Sequence, residues 1–284
     1  MGELITQETK TPHRLSIARM CRALGVSRAE YYRRRAVVDE PEADVELHDQ
    51  IQRIALEMPA YGYRRMTHEL RRRGIVANHK RVLHLMRQDN LLCLRRRGFV
   101  RTSDSSHDWG IYPNLLPALV VTGLSQLWLA DITYVRVRQE FIYLAVLLDA
   151  FSRRCIGWAL ETELALAALR MALLTRRMQP GLVHHSDRGV QYACPAYTEL
   201  LDTHEIQISM GRRGNPYDNA QAESFIKTLQ YEEVYMMEYE DLAEAQARIG
   251  YFLAEVYNRK RLHSALGYVP PAEFEQLLVR PSCA

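Results

Sequence analysis

The sequence has no hydrophobic run long enough to cross a bilayer. The longest, Phe141 to Leu148, has eight residues, against about 20 for a spanning helix. The opening MGELITQETK holds no apolar core, so no secretory leader is expected. The five cysteines, Cys21, Cys93, Cys155, Cys194 and Cys283, are scattered and never form a C-x-x-C pair. That argues against a disulfide framework or a cysteine zinc finger, and points to a reducing cytoplasm with no membrane partner. Internal repeats and low-complexity tracts are also missing. What remains is 284 residues, 48% hydrophobic and 25% charged, which is ordinary globular composition and enough for about two domains at roughly 100–200 residues each.

Charge is small in total but uneven. Residues 1–101 hold 21 Lys+Arg against 12 Asp+Glu, a balance of +9, and residues 102–284 hold 16 against 22, a balance of −6. A basic front and an acidic back suggest a polyanion-binding part joined to something else, although solvated basic helices would carry the same charge. Residues 1–38 read as a short helix-turn-helix-like segment. Ser16 to Leu24 forms one helix, Gly25-Val26 turns, and Ser27 caps a second helix that ends in Tyr31-Tyr32-Arg33-Arg34-Arg35. An acidic linker, residues 36–44, follows.

Residues 45–98 read as a basic helix-turn-helix domain. Leu47, Ile51, Ile54 and Ala55 recur at helical spacing, Pro59 to Gly62 breaks the run, and Arg64 to Arg73 makes a basic helix ended by Gly74. Asn78 caps a further helix, His79 to Asp89, with Val82, Leu83, Leu85 and Met86 inward and Lys80, Arg81, His84 and Arg87 outward. The block closes on Arg95-Arg96-Arg97. Arg33, Arg34, Arg64, Arg65, Lys80, Arg81, Arg95, Arg96 and Arg97 are candidate contacts to DNA phosphates, which position a protein without reading sequence.

Residues 99–119 lack periodicity and form a linker. Residues 120–280 are α/β. Leu127 to Val137, Phe141 to Asp149 and Arg153 to Leu160 are strands joined by connections short enough for antiparallel hairpins, the second so apolar that it is placed centrally. Leu164 to Met178 is a helix, Leu182 to Ser186 a short strand, Ala196 to Glu205 a helix and Ile206 to Ser209 a strand. Beyond the loop Met210 to Asn219 come two helices, about 220–235 and 239–258.

Three carboxylates stand out by placement. Asp131 lies within a strand between Ala130 and Ile132, where an ionised group is costly unless paired or bound to a cation. Asp187 follows a short strand, at the end where ligands of open α/β sheets bind. Glu223 is one turn into a helix. Hard oxygen donors without cysteine or paired-His motifs favour Mg²⁺ or Mn²⁺ over zinc. Each has a plainer reading: Asp131 paired with an arginine of a neighbouring strand, Asp187 in a turn with Arg188-Gly189, and Glu223 in a surface pair with Lys227 at i, i+4. His184-His185 near Cys194 would alternate between sheet faces and so make poor joint ligands. Ser186 lacks the Gly-x-Ser-x-Gly elbow of a nucleophile.

Several long motifs then occur in register. They are Trp128 with Asp131-Ile-Thr-Tyr134, Tyr143 to Arg153, His184 to Tyr192, Gly214 to Phe225, and the tail Tyr257-Asn258, Arg261, His263 to Tyr268 and Pro271 to Phe274. Together they resemble the integrase core of bacterial insertion-sequence transposases. Tyr61 to Arg65 through Lys80-Arg81-Val82 and Leu85-Met86 resembles the helix-turn-helix preceding that core in OrfB-type members. The resemblance runs from about Gly25 to Phe274, and 35 residues separate Asp187 from Glu223, as in the D-D-35-E arrangement.

The resemblance implies a ribonuclease H-like fold, a five-stranded mixed sheet flanked by helices. It also implies that Asp131, Asp187 and Glu223 hold two divalent cations, Mg²⁺ or Mn²⁺, for cleavage of insertion-sequence ends and transfer of the 3′-OH to target DNA. Many relatives carry Lys or Arg seven positions after the Glu. Gln230 stands there in this sequence, and Lys227, one turn after Glu223, is the candidate to replace it. The front end is short for the family, which implies an OrfA-type partner or fusion, and joining two ends implies a homo-oligomer on DNA. The alternatives are a nuclease or phage-type integrase with the same site, and a non-catalytic DNA-binding regulator of transposition.

Overall fold

Local capping decides where the helices of the basic region begin. In the computed structural model, which describes residues 16–36, 42–92, 110–138, 140–160, 164–212 and 216–279, the chain divides into two bodies. The first comprises Met1–Glu57 with Met66–Leu92, the second Met58–Arg65 with Cys93–Ala284. Helices α1 (Ile17–Ala23), α2 (Arg28–Ala36), α3 (Glu42–Glu57), α4 (Tyr63–Arg72) and α5 (His79–Gln88) make up the basic region. Ser27 Oγ accepts from Glu30 N at 3.0 Å, and Asn78 Oδ1 from Lys80 N at 2.8 Å, the satisfied first-turn donors expected of caps. Within the first body Ile51, Ile54, Met66, Leu70, Val82, Leu85 and Met86 are buried, and Leu83 is half-exposed. Arg73 bridges Glu57 and Glu69, at 2.7 and 3.0 Å.

The second body is built on a five-stranded mixed sheet. Its strands are β1 (Leu127–Val137), β2 (Glu140–Asp149), β3 (Cys155–Ala159), β4 (Val183–Ser186) and β5 (Gln207–Met210), ordered β3-β2-β1-β4-β5. The β1-β2 and β2-β3 pairs are antiparallel hairpins; β4 and β5 join parallel to their neighbours. The central strand is therefore β1, not the apolar β2. A strand buried on both faces must be interior, but it need not be the middle one. Side chains alternate along β1, so Leu129 joins a core with Phe225, Leu229, Ile249 and Phe252, while Trp128 and Ala130 join another with Leu169, Tyr197 and Leu201.

The helices of this body are α6 (Leu164–Thr175), α7 (Val190–Ala193), α8 (Pro195–Thr203), α9 (Ala220–Glu232), α10 (Leu242–Tyr251), continued as a π-helical stretch Phe252–Lys260, and α11 (Pro271–Val279). The first ends at Thr175 rather than Met178. The next residue, Arg176, turns its guanidinium to Glu275 at 2.6 Å and Asp149 at 3.3 Å. The edge strand β3 is covered by Asn258, whose amide donates to Cys155 O at 2.9 Å and accepts from Cys155 N at 3.0 Å. A side chain thereby satisfies edge groups that could otherwise pair with another chain. On the face of β3 toward α6, a Cβ at Gly157 would lie 2.1 Å from Ala168 O. Helix and strand touch there by backbone. Gly157→Ala should therefore cost about 2 kcal/mol or more by overpacking, read as a lowered urea midpoint.

Candidate active site

Asp131 lies on β1 opposite Val146 of β2. Its Oδ1 accepts from Ile132 N at 2.9 Å, and among the described residues no cation pairs with it. Asp187 is the first residue past β4. Gly189 N donates to its Oδ1 at 2.9 Å, so the turn reading holds for that oxygen, with no protein donor on the other among the described residues. A Cβ at Gly189 would lie 2.9 Å from the same Oδ1, so the turn admits only glycine without displacement.

Glu223 is in the first turn of α9. Asn219 Nδ2 donates to Ala130 O at 3.1 Å, and Gln230 Nε2 to Thr133 Oγ1 at 2.9 Å. The two bonds fasten α9 to β1 on either side of Asp131. Glu223 Oε2 rests 3.6 Å from Lys227 Nζ, so the i, i+4 pair of the plainer reading forms.

The carboxylates share one electrostatic field. Burial, then the charge of Asp187, and less strongly that of Glu223, push the Asp131 carboxyl up to about 7, against the hydrogen bond from Ile132. Burial also raises Asp187, partly offset by Gly189. Partly buried charge without a partner is what a cation offsets. Among the described residues no three His, Cys, Asp or Glu side chains already form a metal cage, and Glu223 faces Lys227. The site is an open set of hard oxygen donors, the type that suits Mg²⁺ or Mn²⁺.

Tyr192 also borders the site. It is buried and its hydroxyl lacks a partner among the described residues. Burial, then Tyr197, Asp187 and Asp131, hold it protonated. Sequence reasoning does not single out Tyr192, Asn219 or Thr133, although all three lie inside the recognised motifs, which is the available signal. The adjacent histidines do face apart: His184 Nε2 meets Tyr197 Oη and His185 Nδ1 meets Ser209 Oγ, each at 2.8 Å. Burial lowers them to about 3 and about 4, which makes them neutral core residues.

The candidate DNA contacts fare differently. Lys80 and Arg81 are exposed on α5, beside exposed His84 and Arg87. Arg64 stacks on Tyr63 at 5.6 Å, and Arg65 lies 5.9 Å from the Tyr61 ring and lines a cavity of the second body. Lys227 is half-exposed. Arg33 and Arg34 fall on α2 with side chains outside the described residues, and Arg95, Arg96 and Arg97 lie outside them entirely.

Residues 123–216 and 204–271 match models described as integrase core domain, and residues 42–99 match an HTH-like domain. Transposase InsF for insertion sequence IS3A of Escherichia coli (strain K12) is 34% identical, over 92% of this chain and 94% of its own. The insertion element IS600 uncharacterized 31 kDa protein of Shigella sonnei is 36% identical, over 90% of this chain and 97% of its own. The HTLV-2 integrase catalytic core in complex with magnesium is 15% identical with a TM-score of 0.38, over 53% of this chain and 95% of its own.

The chain belongs to the insertion-sequence transposases with an integrase core, within the retroviral-integrase superfamily of polynucleotidyl transferases. The five-stranded mixed sheet and its flanking helices are of the ribonuclease H-like type. Among the described residues no helix is long and apolar enough to cross a membrane.

A carboxyl raised in the folded state binds its proton more tightly there than in the unfolded chain. Its ionisation therefore costs stability as pH rises from near 4 to about 7. In metal-free protein Asp131→Asn should raise the urea midpoint at pH 8, and the gain should shrink as pH falls toward 4.

Proposed function

We propose that Asp131, Asp187 and Glu223 hold two divalent cations, Mg²⁺ or Mn²⁺, with which this transposase cuts the ends of an insertion element and joins the 3′-OH to target DNA. The fastening of α9 over β1 on both sides of Asp131 carries this reading, because it keeps the helical Glu in the field of the two strand-associated Asp residues. Bound divalent cations would activate the attacking oxygen and stabilise the departing 3′-oxygen.

The chain's own contribution is placement. The Gly189 bond fixes one Asp187 oxygen and leaves the other for a cation. Asp131 and Asp187 are each only partly exposed, and protonated Tyr192 supplies a hydroxyl that shares their electrostatic field. With Glu223 engaged by a cation, Lys227, now 3.6 Å from it, would meet a DNA phosphate in place of the basic side chain missing at Gln230.

The rest of the chain organises DNA around this centre. Residues 1–38 and 45–98 bind DNA through their basic helices, residues 99–119 link them, and residues 120–280 hold the chemistry, in the cytoplasm. Joining two ends calls for a homo-oligomer on DNA, and an OrfA-type partner or fusion supplies further recognition of the ends.

Asp131→Asn or Glu223→Gln should lower Mg²⁺-dependent cleavage of labelled element ends by at least about 10³-fold and leave duplex binding unchanged. Cleavage at the unaltered rate would overturn the assignment. A pre-cut end that is hydrolysed but never joined would favour the nuclease reading. Lys227→Ala should weaken binding of the element end about ten-fold, read by titration in metal-containing buffer; unchanged binding and strand transfer would remove Lys227 from the site.

A further inference from the structure

A cavity of about 110 Å³ opens in the second body against α9. By the ~30 Å³ that a water occupies in the liquid it has room for a few waters or one tetrahedral oxyanion. Three sequence motifs that the catalytic reading leaves unused meet there: Arg65 of the Tyr61–Arg65 run, Arg153 of the Phe151-Ser-Arg153 run, and Arg261 with His263-Ser264 of the tail. Helix α9 contributes Ser224 and Thr228. With Gln221 and Phe225, which also line the cavity, those positions centre roughly 140° round the helix, at 100° per residue, from Glu223, Lys227 and Gln230.

The wall is built for negative charge. Asp149 lines the cavity, but its Oδ1 accepts from Phe151 N and Ser152 N at 3.0 Å, and its Oδ2 from Ser125 N at 2.7 Å and Arg176 at 3.3 Å. Arg261 is held by Glu232 through two contacts of 2.7 Å. Arg153 has no carboxylate or hydrogen-bond partner for its guanidinium among the described residues. Its backbone sits at φ 58°, in the left-handed region, with Tyr257 Oη donating to its carbonyl at 3.1 Å. Such strain persists only where the surroundings over-determine it.

His263 is the second, independent sign. It is 7% exposed, and its Nε2 is buried with no hydrogen-bond partner among the described residues. One orphaned ring nitrogen among three arginines is the arrangement that an oxyanion would complete. Burial and the charges of Arg261, Arg65 and Arg153 lower the ring's pKa to about 3, against its hydrogen bond to the Tyr257 backbone; the negative charge of a phosphate would favour the protonated ring, whose Nε2–H then donates to it.

We propose that this cavity is a second phosphate site, in which Arg153, Arg65, Arg261 and His263 grip one backbone phosphodiester of DNA on the far side of α9 from the carboxylates. The site would anchor the duplex at a fixed distance from the cutting centre. It rests on DNA being the substrate, and its test needs neither metal nor cleavage.

In full-length protein labelled with ¹⁵N-histidine, His263 is assigned from the His263→Gln spectrum, and inorganic phosphate or a short duplex is titrated in metal-free buffer. Both should move the His263 ring signals, and Arg153→Gln should abolish the movement. The same variant should bind duplex about ten-fold more weakly, with the slope of log affinity against log salt reduced by about one, while Arg153→Lys keeps most of the affinity. Ring signals of the unaltered protein that ignore the duplex would overturn the proposal, as would a phosphate response with no duplex response. So would unchanged affinity and salt slope in a folded Arg153→Gln protein. Loss of cleavage in the carboxylate variants leaves this result untouched, so the two proposals fail separately.

Discussion

Two hydrogen bonds hold a helix across the middle strand of the sheet. Asn219 reaches Ala130 O, and Gln230 reaches the Thr133 hydroxyl. Between those anchors, on the strand, sits Asp131; between them on the helix sits Glu223. Nothing in the local sequence of α9 requires it to lie here, since Phe225 and Leu229 could pack against any apolar surface. Hydrophobic burial is non-directional, and it is the directed bonds that select one placement. The repulsion among the carboxylates opposes that placement, so the apolar contacts and the two anchors together must exceed it. A fold with an energetic conflict at one point is a common mark of a functional site.

The remainder of the second body can be understood as bracing for that conflict. Asp149 closes β2 by taking bonds from Ser125, Phe151 and Ser152, and it also joins Arg176. Arg176 passes the connection to Glu275 on α11, and Glu275 to Arg154 at 2.6 Å. Asn258 clamps the edge strand from the π-helical stretch. These links connect the last third of the sequence to the first hairpin. Burying one partner of such a network unpaired would cost more than the pair itself contributes, which ties the tail motifs to the integrity of the core.

Much of this was legible in the sequence, and the limits have physical causes. Period-two and period-3.6 patterns gave the strands and helices. Caps such as Asn78 could be named because the side chain that caps lies beside the helix it caps. The placement of β2 at the centre was misjudged, because apolarity reports burial on both faces and not order across the sheet. The three carboxylates were found by residue type and motif. Tyr192 and the Thr133–Gln230 bond were not, because a partner 97 residues distant leaves no local pattern. Arg65 was read as a surface DNA contact on a basic helix; only the folded second body shows that it lines a cavity.

Charge poses the last question. The half of the chain that carries the carboxylates has a balance of −6, yet its substrate is a polyanion. On the proposed reading, long-range attraction comes from the basic front, whose exposed Lys80, Arg81 and Arg87 lie on one short helix. That attraction is screened beyond about 8–10 Å at ordinary salt, so it can gather DNA without setting a scissile bond in register. Register needs short-range positive groups within the acidic body itself. The proposed cations at one face of α9 and the arginine-lined cavity at the other are such groups. A Lys at position 230 could still donate to the Thr133 hydroxyl, but would place an ammonium and its desolvation cost beside that buried group. The glutamine keeps the helix in place and leaves the nearby positive charge to Lys227, one turn earlier.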